Sequence, residues 1–219
     1  FVFGRPPLLM VLLWLGILLW LQGSSKKLRW SALLGISYFL TFLLLRYPLS
    51  SEVVYFDIGQ GDCTLIRERF SRRVILIDTG GKVHFAMPNW KKRPTKTSGE
   101  TIVANYLLSK GITQIDQLYL THQDADHVGN FPSLSRSIKI NQMIVPAGME
   151  DLPSFKRRLA KSTVAPKAVK GVTDKVSLSD PHLKLLHPFT RGQGTNADSL
   201  VLWLDFYGLK CIFTGDLDR

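Results

Sequence analysis

The stretch Thr121-His122-Gln123-Asp124-Ala125-Asp126-His127 carries four side chains that can each donate a metal-binding atom, at i, i+2, i+4 and i+5. Two imidazoles and two carboxylates on so short a turn cannot all point away from one another. Without a cation, crowded carboxylates raise each other's pKa. Imidazole nitrogen and carboxylate oxygen suit Zn, Mn or Fe, and more oxygen favours a harder ion such as Mn. His122, Asp124, Asp126 and His127 can be shared between two ions, which together activate water and stabilise an oxyanion or phosphoryl oxygen. The simpler alternative is a polar turn whose aspartates cap the next helix. Two more acids stand where apolar runs end: Asp78 after Val74–Ile77, and Asp216 after Cys211-Ile212-Phe213-Thr214 and Gly215.

These residues need strands to hold them. The run Ile115–Leu120 reads as a buried strand that delivers the donor loop at its carboxyl end, with a helix start after it. Upstream, Val53–Ile58, Cys63–Ile66 and Val74–Asp78 read as short strands separated by turns. A helix is expected over Thr101–Lys110, with Gly111 as its stop. Later come a strand at Gln142–Val145, a basic helix near Ser154–Lys161, and strands near Leu183–Leu186, Leu200–Phe206 and Lys210–Thr214. Short strands followed by strand–helix alternation predict an α/β sheet protein.

Residues 1–49 are different in kind. Residues 8–21 and 31–45 carry no charge, and with their flanks each approaches the roughly 20 residues a membrane-spanning helix needs. A signal peptide is excluded, because a second apolar run follows at once and no cleavage site is evident. The sequence therefore predicts a transmembrane hairpin over 1–49 ahead of an α/β domain over 50–219. Lys26, Lys27 and Arg29 in the connecting loop place that loop in the cytoplasm and the domain outside the cell membrane. The chain opens on Phe1-Val2-Phe3 with no initiator Met, as a piece of a larger membrane protein would.

The net charge is +11, from 28 Lys and Arg against 17 Asp and Glu; every acid lies after residue 50. Such a balance favours a polyanion or an anionic membrane surface as partner. The clusters Lys91-Lys92-Arg93 and Lys156-Arg157-Arg158, beside Trp90 and Phe155, could hold phosphates and stack bases without reading sequence. Solvated charge accounts for them equally well. Cys63 and Cys211 each sit in an apolar segment with no CxxC partner, which excludes a disulfide framework and a zinc knuckle.

Taken together, the motifs carry a resemblance. THQDADH is similar to the HxHxDH signature of the metallo-β-lactamase superfamily, with Asp124 where the second His usually stands. Ile77-Asp78-Thr79-Gly80-Gly81 and Phe213-Thr214-Gly215-Asp216 match two further strand-end motifs of that superfamily. The runs Phe56–Asp62, Gly99-Glu100, Leu186-His187-Pro188 and Asn196–Leu202 resemble the C-terminal domain of ComEC-type competence proteins, the DNA-uptake channels. The likeness covers about residues 52–219.

What the resemblance implies is an αββα sandwich, cut short at its C-terminus and preceded by two transmembrane helices. Its implied activity is a metal-dependent deoxyribonuclease that degrades the non-imported strand. His122, Asp124, Asp126 and His127 would be ligands of two ions, Mn or Zn, with Asp216 bridging them. Asp126 and His127 would be catalytic, Asp126 orienting the attacking water. Asp78 is expected to orient a ligand His. Asn196 stands near the usual third-motif His, and Ser199 could contact substrate. A further His expected beyond the bridging Asp would lie past Arg219. DNA, lipid and other parts of the channel are the implied partners. Two rivals remain open: a non-catalytic DNA-guiding module, and a metallo-hydrolase of another extracytoplasmic ester. His182 and His187 read as turn or core histidines, and Asp57 and Asp62 as turn-holding residues.

Overall fold

The computed structural model describes residues 4–23, 27–59, 61–81, 99–206 and 208–217. Among the described residues, nine strands form two sheets. In the larger, the order is β1 (Glu52–Tyr55), β2 (Thr64–Arg67), β3 (Val74–Ile77), β4 (Gln114–Tyr119), β5 (Lys139–Pro146) and β6 (Val169–Val172). The first three pair antiparallel, and from β3 onward every pairing is parallel. The smaller sheet is antiparallel, in the order β7 (Leu183–His187), β8 (Val201–Phe206), β9 (Leu209–Phe213).

Side-chain alternation with period two divides the apolar residues between two cores. On one face of the large sheet, Leu65, Leu76, Leu118 and Met143 meet the helices α3 (Gly99–Ser109), α5 (Phe131–Ser137) and α6 (Pro153–Leu159) through Val103, Leu107, Phe131, Leu134, Phe155 and Leu159. On the other face, Ile75, Ile77, Tyr119 and Ile144 meet Leu183, Leu185, Leu202, Leu204 and Phe206 of the small sheet. Helix, sheet and sheet are thus the three inner layers of the expected α/β sandwich. Among the described residues no helix covers the outer face of the small sheet, where Trp203 and Ile212 are cross-strand partners and Ile212 is 53% exposed.

Because β3 and β4 are parallel neighbours, both release the chain at the same edge of the sheet. Asp78 leaves β3 there and Thr121 leaves β4, which is where α/β sheets place ligands. A very short helix, α4 (Ala125–Val128), follows at once. It begins inside the donor loop rather than after it. Its N-cap, Asp124, makes no side-chain capping bond, so the carboxylate is not spent on the turn as the simpler alternative required.

Helices α1 (Leu8–Gly23) and α2 (Lys27–Arg46) form the hairpin that precedes the sheets. The expectation of two membrane-spanning helices is not met, since among the described residues no helix is long and apolar enough to cross a membrane. With 16 residues α1 reaches only about 24 Å, short of the roughly 30 Å hydrocarbon layer. Helix α2 has 20 residues but includes Lys27, Arg29 and Arg46. The two are knit together by the Trp14 indole donating to Ser37 Oγ at 2.9 Å. Arg67, in β2, ties the hairpin to the domain by pairing with Glu52 at 3.1 Å and donating to the Arg46 carbonyl at 3.1 Å.

Candidate metal centre

The centre is organised by one buried carboxylate. Asp78 follows β3 in a left-handed conformation with φ 55°, which turns its side chain back under the end of β4. Its Oδ1 accepts the Thr121 backbone N–H at 2.8 Å. Its Oδ2 accepts the Thr121 hydroxyl at 2.7 Å and faces His127 Nδ1 at 2.9 Å. An ionised carboxylate only accepts, so the Thr121 hydroxyl spends its one proton on Asp78. Thr121 Oγ1 also lies 3.0 Å from His122 Nδ1, and with its proton committed it must be the acceptor there. Both histidines therefore carry hydrogen on Nδ1, and both point Nε2 the other way. Such hydrogen bonding is what fixes the tautomer and aim of metal-binding histidines.

What the two Nε2 atoms point at is Asp216. Its Oδ1 lies 3.4 Å from His127 Nε2, and its Oδ2 lies 4.0 Å from His122 Nε2. The ligand atoms of His122, His127 and Asp216 lie within 4.8 Å of one another. Asp216 arrives from the small sheet through Gly215, whose φ is 51° and where an added Cβ would stand 2.8 Å from the Thr121 Cβ. The backbone of the β9 exit is thereby seated on Thr121. Asp124 stands beside the group, with Oδ2 3.8 Å from His122 Nε2 and its side chain 54% exposed.

The donor set fits a divalent cation on three counts. His122 is fully buried, and its Nε2 has no hydrogen-bond partner among the described residues; an orphaned buried acceptor is costly unless something satisfies it. Burial, and then the charge of His127, lower the His122 pKa and keep that lone pair free of a proton. At His127, burial opposes the charge, but the hydrogen bond that its Nδ1–H donates to Asp78 and the charges of Asp78, Asp216 and Asp126 outweigh it and raise the pKa to about 9. A cation at that Nε2 would face the same carboxylates that favour the proton. Cys63, near Asp78, is no rival nucleophile: burial, then Asp78 and Asp62, raise its pKa well above the thiol range.

The structure thus gathers His122, His127 and Asp216 and places Asp124 next to them. Asp126 is half-buried near His127 and falls outside the three-residue group. Asp78 holds His127 through its Nδ1 at 2.9 Å. Asn196 begins the 3-10 turn Asn196–Asp198, which leads into Ser199. Ser199 was expected to contact substrate, but it is fully buried, packed behind Gly215 with an unpartnered hydroxyl. His187, at the end of β7, faces the Ser199 carbonyl through Nδ1 at 2.8 Å, and His182, in the turn before that strand, faces the Asp205 carbonyl at 2.9 Å. Lys91, Lys92 and Arg93 lie outside the described residues.

Two contributors were not singled out from sequence. Thr121 is the hub through which one carboxylate aims two histidines; its place immediately before His122, at a strand end, was the available signal. Gly61, in the turn between β1 and β2, presses on α4 so closely that a Cβ there would overlap the Asp126 carbonyl oxygen.

Residues 56–219 match the metallo-beta-lactamase superfamily. The chain is 33% identical to ComE operon protein 3 of Bacillus subtilis over 97% of its own length, and 27% identical to Competence protein ComA of Neisseria gonorrhoeae over 97%. It spans only 29% and 26% of those two proteins. A putative metallo-beta-lactamase of Thermotoga maritima superposes with a TM-score of 0.46 at 16% identity, covering 75% of this chain and 73% of that one. With a strand-end Asp orienting the histidines and the sequence match extending across both sheets, the chain belongs to the metallo-beta-lactamase superfamily.

Proposed function

We propose that this chain is the hydrolase part of a DNA-uptake machine, a metal-dependent phosphodiesterase that degrades the non-imported strand. The observation that carries the reading is the convergence of His122 Nε2 and His127 Nε2 on the two oxygens of Asp216, in a chain related along nearly its whole length to proteins named for competence. Each Asp216 oxygen faces a different histidine, so this carboxylate would hold metal together with both imidazoles. Asp124 beside His122 adds oxygen to the set and favours Mn over Zn.

Bound ions would supply Lewis acidity toward a phosphoryl oxygen and a nucleophilic water at neutral pH. The residues do the rest. Asp78 and Thr121 hold both imidazoles so that metal loading costs little reorganisation. His122, His127, Asp216 and Asp124 would hold the ions, and Asp126, next to His127 in the chain, would orient the attacking water. Basic groups on α6, with Lys91, Lys92 and Arg93, hold the DNA backbone without reading bases. The hairpin, which exposes Leu8, Leu9, Leu19, Trp20 and Phe39 around its circumference, lies in lipid with the domain on the extracytoplasmic side, against other parts of the channel.

The test uses the full-length protein supplied with Mn and a labelled single-stranded oligonucleotide. Cleavage is expected in the wild type, and H122A and D126A are expected to abolish it. Equal cleavage by both variants would sink the assignment. Steeply salt-dependent binding without cleavage would instead identify a DNA-guiding module, and hydrolysis of small esters without DNA binding a different hydrolase.

A further inference from the structure

The two sheets leave an opening between them at the edge that carries the metal centre. Strand β1 is antiparallel to β2 and β2 to β3, so β1 ends at the same edge as β3, where Asp78 leaves the sheet. Tyr55 is the last residue of β1, and Phe213 is the last of β9, two residues before Gly215 and three before Asp216. Both strands lie at the edge of their sheets. Each sheet therefore finishes on an aromatic residue close to the centre.

Alternation decides where those rings point. Val53 packs into the core between the sheets, and Tyr55, two residues on, shares its face. Phe213 packs against the same core from the small sheet. The rings meet across the gap, centres 6.3 Å and planes 38° apart. Phe56 turns the other way, edge-on to Tyr106 of α3. Deeper in the gap Ile66, Ile75 and Ile77 are sealed, whereas Tyr55 is 66% exposed.

Beside the pair lies a cavity of about 230 Å³ whose walls include Asp78, Thr121 and Gly215, the residues that seat the two histidines and Asp216. It is smaller than the roughly 300–1,000 Å³ of a site that encloses a drug-sized ligand, a size suited to one planar ring system. Its chemistry narrows the occupant further. Neither Lys nor Arg is among its described walls, and Asp62 adds an exposed carboxylate, so a phosphate would be repelled. Asp62, Thr64 and Thr214 offer hydrogen-bonding groups that an acyl chain would leave unsatisfied. An uncharged ring with hydrogen-bonding edges, next to a place for a phosphate, has the chemistry of a nucleobase. Every base has a π-face, so such stacking reads no sequence.

We infer that the cavity between β1 and β9 is a nucleobase pocket, in which Tyr55, backed by Phe213, stacks on one base of a strand whose adjoining phosphate lies at His122, His127 and Asp216. This rests on the phosphodiesterase reading above. A base enters such a pocket only when unpaired and unstacked. The pocket thus selects single strands or frayed ends over intact duplex.

Stacking and charge are separated on the full-length protein with two ligands of equal length and charge: an oligothymidylate, and the same sugar–phosphate chain without bases. Binding is followed across a salt series with Ca in place of Mn, so that affinity is read whether or not cleavage occurs. Y55A is expected to weaken oligothymidylate binding about tenfold, the size of one lost base stack, and to leave abasic binding and the salt slope unchanged. Y55F keeps the ring and is expected to bind as the wild type does; a merely structural role would weaken both ligands alike. In the Mn-loaded protein, Y55A should raise KM for oligothymidylate far more than it lowers kcat. Unchanged oligothymidylate affinity in Y55A would overturn the pocket, and continued Mn-dependent cleavage by the wild type would leave the phosphodiesterase reading standing without it. Equal weakening of both ligands, or a wild type that binds the two equally, would overturn the pocket as well. Selective weakening by Y55A in a protein that never cleaves would instead retain the pocket and remove the nuclease.

Discussion

The large and small sheets share one apolar interface but differ in what lies behind them. Helices α3, α5 and α6 back the large sheet, so β3 and β4 are buried on both faces, and Ile75 through Ile77 are at most 4% exposed. The small sheet is covered on one face only, and β9 is an edge strand with Ile212 half open to solvent. The division of labour at the centre follows the same line. The rigid sheet supplies Asp78, Thr121, His122 and His127, already aimed by a closed set of hydrogen bonds. The open sheet supplies one residue, Asp216, at the end of its edge strand. Preorganisation is concentrated where packing is double-sided, and the ligand that joins the two histidines comes from the less constrained side.

That contrast can be broken most severely at its joint. Replacing Asp216 by Ala is expected to lower bound Mn more than H122A does, because one carboxylate faces both histidines; metal content after dialysis, read by elemental analysis, checks it, and equal losses would mean Asp216 serves one ion alone. Next in size, D78N on the rigid side should leave the fold in place yet weaken metal binding about 10- to 100-fold, measured by titration calorimetry, since a hydrogen-bond partner of a ligating histidine is worth about that much.

Asp78 also makes a pH prediction. The folded pKa of His127 stands at about 9, above the ordinary 6.5. The stability it contributes to the metal-free protein is therefore fully present below about pH 6.5 and is lost as pH rises through about 9. The melting temperature of the metal-free wild type should fall over that window relative to D78N. Parallel curves would show that His127 is not charged through Asp78. Smallest of all, I212T on the open face should change stability by no more than about 0.5 kcal/mol. By contrast I77A on the shared face should cost about 2–5 kcal/mol in denaturant unfolding.

Much of this was legible in the order of residues, for physical reasons. Strand ends announce themselves by an apolar run stopping at a polar residue, and Asp78, the donor loop and Asp216 all lie at such stops. Which donors converge was not legible. Asp124 and Asp126 look equivalent in the sequence, yet the start of α4 at Ala125 leaves Asp124 half exposed beside His122 and puts Asp126 on the first helical turn. Strand β6 went unread because Gly171 and Lys170 interrupt its alternation in only four residues. The hairpin was overread as membrane-spanning because α1 is only 16 residues long and α2 takes in Lys27, Arg29 and Arg46. Ser199 was named through the motif it shares with Asn196, and its complete burial behind Gly215 is visible only in the packing. Likewise Arg157 is exposed and Arg158 half-buried on α6, though nothing in the sequence tells them apart.

The pressure of Gly61 on the Asp126 carbonyl has a consequence for how the motif FDIGQGD is understood. The turn joins two strands that never touch an ion, so it would be free to drift if hairpin geometry alone governed it. Instead its main chain serves as a bearing surface for the helix that carries His127, and the clearance is set by the thickness of bare backbone. Its sequence is an imprint of the metal loop, left in a part of the chain some sixty residues away.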